Sequence, residues 1–233
     1  MIAIKLKGGL GNQMFQYACG RNLSYRQKTV LKLDKSFLDN TLWQKIVGVT
    51  PRKYEMGEFN IQAELVKGKN CLDGYWQSEK YFKNIRKILL LDFTLKKESK
   101  NFLKYKKLII KTNSVSVHIR HGDYVKRAVA RKYHGTLSFD YYFKAIELIG
   151  KKIKNPRFFV FSDDPMISNF SGLTNNEELI LMSKCKHNII ANSSFSWWGA
   201  WLNTNPTKMV IAPKKWFRAK TDFEIVPQSW IKL

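Results

Sequence analysis

The chain has few acidic residues, few cysteines and no long apolar segment. Its 233 residues include 18 Asp and Glu, 3 Cys and 6 Pro. Apolar runs such as Ile88–Leu91 are far shorter than the roughly 20 residues that a helix needs to cross a bilayer. The cysteines lack the spacing of a metal site, and their small odd number fits a reducing compartment. The opening Met1–Gln13 predicts a strand and a glycine turn rather than a signal peptide. We therefore expect a globular cytoplasmic protein.

The shortage of acids leaves a net charge of +23, with basic clusters at Lys96–Lys111 and Lys126–Lys132. Nucleic acid, an anionic membrane surface and an anionic substrate all suit such a charge, as does an ordinary lysine-rich surface. Neither cluster has the aromatic pattern of a single-strand binding platform, and no DNA-reading motif is present. We expect no nucleic-acid partner, and retain peripheral contact with the inner face of an anionic membrane.

The order of predicted elements indicates two α/β units. The first has strands Ile2–Lys7, Val30–Asp34 and Cys71–Tyr75, and helices Gln13–Gln27 and Glu79–Leu90. The second alternates more regularly: strands Val115–Arg120, Phe158–Phe161, Asn188–Ala191 and Met209–Ala212, and helices Phe139–Ile149, Glu177–Ser183 and Ser196–Leu202. Such alternation implies parallel sheets. The charged stretch Lys96–Lys111 is predicted to connect the units, which gives domains at 1–111 and 112–233.

The most informative segment begins with strand Val115–Arg120 and continues into a Gly-Asp turn. The period of two places His118 and Arg120 on one face of the strand. Ligands of open α/β sheets bind beyond the carboxyl ends of strands, where this pair lies. A guanidinium suits a phosphate, and Asp123 is placed to fix the imidazole tautomer of His118. The segment predicts an anion pocket.

A glycine turn, Gly8–Met14, links the first strand to the first helix. Glycines there allow backbone N–H groups to approach an anion at the helix N-terminus. No Gly-Lys-Ser/Thr follows, so the turn is not a Walker A loop. Gly9-x-Gly11 and Asp34 match part of the dinucleotide fingerprint, which keeps an NAD-dependent oxidoreductase as an alternative. A simple tight turn is the other interpretation.

Two further loops follow predicted strands. In Ser162–Pro165, we expect Asp164 to cap a helix that starts at Pro165, and the adjacent acids lack the Asp-x-Asp spacing of a metal site. In Asn192–Gly199, hydroxyls and free N–H groups at a helix start form an anion site without a charged residue. An ordinary N-cap explains the same residues, and Trp197 and Trp198 are predicted to be core.

Taken together, these segments closely resemble glycosyltransferase family 11, the bacterial-type α-1,2-fucosyltransferases. The matching segments, in the family's order, are Lys7–Ala18, Gly74–Phe82, Ser116–Tyr124, Phe159–Asp164 and Cys185–Trp201. The resemblance implies a GT-B-like α/β fold of two Rossmann-like parallel-sheet domains with the active site in the cleft between them. It implies an inverting transfer of L-fucose from GDP-β-L-fucose to a galactose hydroxyl, with no metal or other cofactor. The implied acceptor is a galactose-containing glycan or lipid-linked oligosaccharide of a surface polysaccharide.

The resemblance also implies roles for individual residues. Arg120 would hold the donor's β-phosphate and, with Asp123, form the catalytic pair. The implied donor-binding residues of the second domain are His118, Arg120, Asp163, Glu178 (on guanine), Ser194, Phe195 and Ser196. Gly9, Gly11 and Asn12 would approach the donor from the first domain, and the tail would pack back on that domain. Many members have a second arginine where this chain has His121.

The proton acceptor for the attacking hydroxyl is not assigned by any spacing. Asp34, Glu55 and Glu58 are candidates, and a base-free dissociative mechanism is the alternative. Other activities kept open are a glycosyltransferase of the same fold with another linkage or nucleotide sugar, the NAD-dependent oxidoreductase, and a basic RNA-binding module.

Overall fold

The chain divides into two compact units, Met1–Lys97 and Glu98–Leu233. A computed structural model describes residues 1–68, 70–120, 137–217 and 224–233. Each unit has its own sheet, and every strand pair in both sheets is parallel. The predicted α/β class with two parallel-sheet units is therefore confirmed. Within the described part of the chain, no helix combines the length and apolarity needed to cross a membrane.

The first unit is a three-stranded sheet in the order β1-β2-β3. Its elements are β1 Ile2–Lys5, α1 Leu10–Arg26, β2 Leu31–Asp34, α2 Ser36–Asp39, α3 Thr41–Ile46, β3 Glu64–Val66 and α4 Arg86–Asp92. Helix α1 lies close to the sheet at Gly20, where an added Cβ would come within 2.5 Å of Ile4 and 2.8 Å of Leu31. The close helix–strand contact thus lies at Gly20, while Met14 takes the place of the fingerprint's third glycine and is fully buried.

Two predicted elements of this unit take other forms. The strand expected at Cys71–Tyr75 is reduced to a bridge between Leu72 and Ile4. The helix expected at Glu79–Leu90 is split into two 3₁₀ turns, Glu79–Tyr81 and Lys83–Ile85, before α4 begins. The break lies at Phe82, whose φ of −154° is not helical and whose fully buried ring packs 5.9 Å from Phe15. Burial of this ring interrupts the helix.

The second unit begins with a helix that was predicted to be a linker. Helix α5, Lys100–Ile110, buries Phe102 and Ile109. Its N-cap Ser99 accepts a hydrogen bond from the Phe102 N–H at 3.1 Å and donates its own N–H to Glu177 at 2.8 Å. These contacts tie α5 to the second unit, which starts at Glu98 rather than at the predicted residue 112.

The second sheet has five strands in the order β5-β4-β6-β7-β8. Its elements are β4 Asn113–Ile119, α6 Phe139–Lys152, β5 Pro156–Ser162, α7 Asn175–Lys184, β6 His187–Ile189, α8 Ser194–Leu202, β7 Val210–Ala212 and β8 Ile231–Lys232. Val115 and Val117 of β4 pack in a buried cluster with Tyr141 and Ala145 of α6. The chain runs from β4 outward to β5 and then returns to β6 on the other side of β4, which makes the β4–β6 junction the switch point of the sheet.

The C-terminal tail lies in the second unit, as the predicted domain bounds placed it, and its packing on the first unit stays a prediction. Strand β8 pairs with β7, and the Trp197 indole N–H donates to the Ile225 carbonyl at 2.9 Å. Trp197 and Trp198 are fully buried, so their prediction as core residues is confirmed.

Candidate functional site

Two loops meet at the switch point of the second sheet. Arg120 directly follows β4, and Ser193 is the N-cap of α8 in the segment after β6. The Arg120 guanidinium donates from Nη1 to the Ser193 hydroxyl at 3.0 Å. The crevice outside the carboxyl ends of strands at a switch point is where ligands of open α/β sheets bind. A cation and a helix N-terminus therefore lie together at the position predicted for an anion.

Ser193 was not among the site residues predicted from the sequence. Its hydroxyl accepts hydrogen bonds from both Arg120 and the Phe195 N–H, the latter at 3.3 Å. It is a buried N-cap that also fixes the arginine. The signal that points to it is its place as the first hydroxyl residue after the buried segment Asn188–Ala191, where N-caps occur.

The three predicted residues of the α8 start differ in exposure. Ser194 and Phe195 are partly exposed in the first turn, where N–H groups of a helix have no intrahelical partner. Ser196 is fully buried, and its hydroxyl lies 3.5 Å from the Ala191 carbonyl and 3.3 Å from the Ser193 carbonyl, to which it donates. Ser196 therefore points into the fold and stabilises the turn.

His118 lies beneath this site. It is 5% exposed, and its ring centroid lies 5.7 Å from that of Phe195. Burial, with the nearby Arg120 charge, lowers the pKa of His118 to about 3, so the imidazole is neutral at physiological pH. Its Nδ1 atom is buried without a hydrogen-bond partner in the described part of the chain. The predicted tautomer-fixing residue, Asp123, lies outside the described residues, as does His121.

The loop after β5 forms a turn rather than the predicted helix. Residues Pro165–Ile167 are a turn, and the Asp164 carboxylate accepts the Met166 N–H at 3.0 Å. The chain is drawn back to the strand because Asn169 exchanges two hydrogen bonds with Val160, at 2.7 and 2.9 Å. Asp164 thus closes a turn. Its neighbour Asp163 is exposed, and its charge opposes the fall in the pKa of His118.

Helix α7 begins with two adjacent glutamates in different environments. Glu177 completes a capping box with Thr174, with the Thr174 N–H donating to its carboxylate at 3.1 Å. Glu178 is half-buried, and this burial raises the pKa of its carboxyl to about 7. No hydrogen bond or ion pair to the Glu178 carboxylate exists within the described residues. Glu177 is therefore structural, whereas the role of Glu178 as a ligand-binding residue stays a prediction.

The glycine turn of the first unit is closed by side chains of the same unit. Gly8 has a φ of 75°, which favours glycine. The N–H of Leu10 at the start of α1 donates to the Glu55 carboxylate at 3.0 Å. The Gln13 amide donates to the Gly8 and Lys53 carbonyls at 2.9 and 2.8 Å. A carboxylate thus already lies at this helix N-terminus, close to Gly9.

Gly11 and Asn12 lie in the first turn of α1, and the Asn12 side-chain oxygen Oδ1 accepts a hydrogen bond from the Gln77 side-chain amide at 2.7 Å. Their contact with the donor stays a prediction.

Among the carboxylates considered as proton acceptors, Asp34 is 1% exposed and accepts the Ser36 N–H and hydroxyl, each at 3.0 Å. Asp34 is therefore a turn-stabilising residue, and Glu58 is exposed.

The geometry of the second unit suits a phosphate-containing ligand. Arg120 offers a delocalised cation, and the start of α8 offers backbone N–H donors with the positive end of the helix dipole. Such preorganised donors stabilise negative charge that develops on a leaving group. Within the described residues, no group of three His, Cys, Asp or Glu side chains is placed to hold a metal ion.

Comparison with known proteins gives consistent matches along the chain. The family model described as "Glycosyl transferase family 11" matches residues 55–233. The chain is 33% identical to an alpha-1,2-colitosyltransferase of Escherichia coli, with 100% of this chain and 99% of the relative covered. It is 32% identical to the O-antigen biosynthesis glycosyltransferase WbnK of Escherichia coli, with 98% and 99% covered. A solved fucosyltransferase, NodZ from Bradyrhizobium, aligns with a TM-score of 0.41 and 11% identity over 85% of this chain and 90% of that chain. The family match and the two relatives, aligned over almost their whole lengths, show that this chain is a glycosyltransferase and belongs to glycosyl transferase family 11.

Proposed function

We propose that this enzyme transfers L-fucose from GDP-β-L-fucose to a galactose hydroxyl, with inversion, to form an α-1,2 linkage. The observation that carries the proposal is the Arg120–Ser193 contact at the start of α8, at the switch point of the second sheet. The name of one Escherichia coli relative supports an α-1,2 linkage, and the name of the other supports a role in building an O-antigen-type glycan.

Departure of GDP is the step that this site assists. As the bond between the sugar and the diphosphate breaks, negative charge develops on the β-phosphate. Arg120 is held by Ser193 with its guanidinium at the carboxyl end of β4, and the Ser194 N–H lies in the first turn of α8. Both kinds of donor become stronger partners as the charge grows, which lowers the barrier.

The neutral His118 supports this arrangement through packing. An imidazolium beside Arg120 would compete with it for the diphosphate, but burial keeps His118 uncharged. Its ring lies against Phe195, the second residue of α8. His118 thus positions the phosphate site without adding charge to it.

Glu178 is proposed to bind the guanine base. The N1–H and N2–H₂ groups of guanine are adjacent donors that match the two oxygens of an ionised carboxylate. Such donors favour the charged form, whereas burial disfavours it in the free protein. GDP binding should therefore ionise Glu178.

The second candidate donor is GDP-activated colitose, which is favoured by the relative named as a colitosyltransferase. Colitose is L-fucose without its 3-hydroxyl, so both donors would use the same diphosphate site. Discrimination would depend on a partner for that hydroxyl, since a site built to bind a hydroxyl rejects the analogue that lacks it.

The test supplies purified full-length enzyme with GDP-fucose, GDP-colitose or GDP-mannose and a panel of galactosides. We expect transfer from GDP-fucose and a product whose NMR spectrum shows an α-1,2 linkage to galactose. Transfer from GDP-colitose alone would establish the second candidate. Transfer only from GDP-mannose would overturn both. GDP, but not NAD, should raise the melting temperature.

A further inference from the structure

Helix α3 and the turn that follows it bury a polar side chain and expose apolar side chains to solvent. Among residues 41–49, the only buried side chain is the polar Gln44. The apolar side chains face solvent, with exposed fractions of 68% for Leu42, 51% for Trp43, 65% for Ile46, 45% for Val47 and 41% for Val49. These five residues are called the apolar patch. A surface segment with this polarity is the reverse of what a water-facing helix requires.

Hydrogen bonds hold the Gln44 side chain in its buried position. The Gln44 amide group donates to the Leu38 carbonyl at 3.3 Å and to the Arg52 carbonyl at 3.1 Å, and it accepts the Arg52 N–H at 2.7 Å. The Asn40 side chain caps the helix by accepting the Trp43 N–H at 2.9 Å. Because three hydrogen bonds hold the Gln44 side chain inward, the opposite side of the helix, which carries the apolar patch, faces solvent.

The surroundings of the apolar patch are basic. From Thr41 to Tyr54 the chain has three basic residues, Lys45, Arg52 and Lys53, and no acidic residue. Lys67 lines a shallow cavity of about 390 Å³ together with Leu42, at the edge of the patch. Asp39 lines the same cavity, and its charge is paired with Lys35 at 3.2 Å.

We propose that the apolar patch docks this enzyme on an anionic lipid bilayer. Tryptophan favours the interfacial region, and an amphipathic helix lies in the interface plane with its apolar side in the acyl boundary. Neighbouring lysines then reach the lipid phosphates. A second copy of the chain is a poorer occupant, because two molecules that each carry +23 repel one another. This docking requires neither the donor nor the acceptor proposed above.

The experiment is co-sedimentation of the full chain with vesicles. Vesicles of phosphatidylethanolamine with phosphatidylglycerol are compared with vesicles of phosphatidylcholine alone, at low and raised salt. We expect binding to the anionic vesicles, weakened by salt. The double variant Trp43→Glu/Ile46→Glu should lose about tenfold or more in partitioning, since two inserted apolar groups become anions. The matched control is Leu91→Glu, a 71% exposed leucine of α4, which should bind as the unaltered chain does.

Three outcomes would overturn the proposal. They are unchanged vesicle binding by the double variant, equal loss in the Leu91→Glu control, and failure of the unaltered chain to bind anionic vesicles. Sedimentation velocity without lipid tests the second-copy alternative: a dimer that the double variant dissociates would show that the patch is covered by another chain. The melting temperature of each variant confirms that it is folded.

Discussion

At the residue scale, the contact between Arg120 and Ser193 carries the catalytic proposal. Replacement of Arg120 by Ala should lower kcat/KM by about 10²–10³, because a preorganised donor to the leaving diphosphate is lost. The fold should survive, since the Arg120 side chain is only half-buried and follows the strand rather than forming its core. Steady-state kinetics and thermal melting measure the two effects.

Two companion variants separate charge from geometry. Arg120→Lys keeps the charge but not the planar fork, and should recover only part of the activity. Ser193→Ala removes the hydroxyl that holds the guanidinium and should have a smaller effect than loss of the arginine. Near-normal turnover in a folded Arg120→Ala protein would remove Arg120 from the mechanism.

The raised pKa of Glu178 predicts that the affinity for GDP depends on pH. Because its carboxyl has a pKa of about 7 in the free protein, it is largely protonated at pH 6 and ionised at pH 8. If guanine binds the ionised form, the Kd for GDP should fall as pH rises across this range. Isothermal titration at several pH values measures the trend. The Glu178→Gln variant retains only the pH dependence of GDP itself, and an identical slope in both proteins would contradict the assignment.

The same carboxyl should reduce the stability of the free protein at high pH. Burial raises the pKa of Glu178 in the folded protein above its ordinary value of 4.5. The contribution of this carboxyl to stability is therefore complete below pH 4.5, and it is lost as the pH rises through about 7. Glu178→Gln should therefore melt at a higher temperature than the unaltered chain at pH 8, with the gap closing towards pH 4. A gap that does not depend on pH would show that Glu178 is not buried as described.

At the element scale, the packing of α7 on α8 depends on Gly199. A Cβ at this position would come within 2.9 Å of the Met182 Cβ, so Gly199→Ala should force the helices apart and cost about 1–3 kcal/mol in the free energy of unfolding. Gly150 of α6 is the matched control because nothing lies within 4 Å of its added Cβ. Gly150→Ala should stabilise the protein by about 0.4–1 kcal/mol. Urea unfolding of both variants tests the contrast, and equal effects would contradict it.

The elements that the sequence predicted well are those with one dominant period. Strand β4 was recognised from Val115, Val117 and Ile119, and helix α6 from its apolar stripe. Helix α5 was missed because its charged residues hide the signal, which consists of a Ser99 cap and two buried residues seven apart, Phe102 and Ile109. Helix α3 is the opposite case, since its apolar residues face outward and one buried Gln44 anchors it through tertiary contacts.

The candidate site was likewise predictable from the sequence only in part. Arg120 was predictable because strand alternation and the Gly-Asp turn place it at the carboxyl end of β4. Ser193 was missed and Ser196 was expected to face the ligand, because three neighbouring serines look alike in sequence. Only the start of α8, fixed by the hydrogen bond from the Phe195 N–H to Ser193, decides which hydroxyl faces the arginine.

At the scale of the whole molecule, the residues proposed to bind GDP belong to one compact unit. Arg120, Glu178 and Ser194 all lie within Glu98–Leu233, which has its own sheet and core. We expect a fragment of residues 98–233 to unfold cooperatively and to bind GDP within about tenfold of the full chain, a difference of at most about 1.4 kcal/mol. A larger loss would show that the first unit, where Gly9, Gly11 and Asn12 lie, contributes directly to the nucleotide site.

A shorter fragment tests the domain boundary. A chain of residues 112–233 lacks α5, and with it the buried Phe102 and Ile109 and the Ser99 N–H that Glu177 accepts. Loss of two buried large side chains and of a hydrogen bond to a carboxylate should cost about 3–5 kcal/mol or more in the free energy of unfolding. Because whole domains are stable by only about 5–15 kcal/mol, this fragment should be largely unfolded or strongly destabilised. Circular dichroism under urea compares the two fragments. Equal stability would mean that α5 is a linker, as its charged sequence suggested, and that the unit begins at β4.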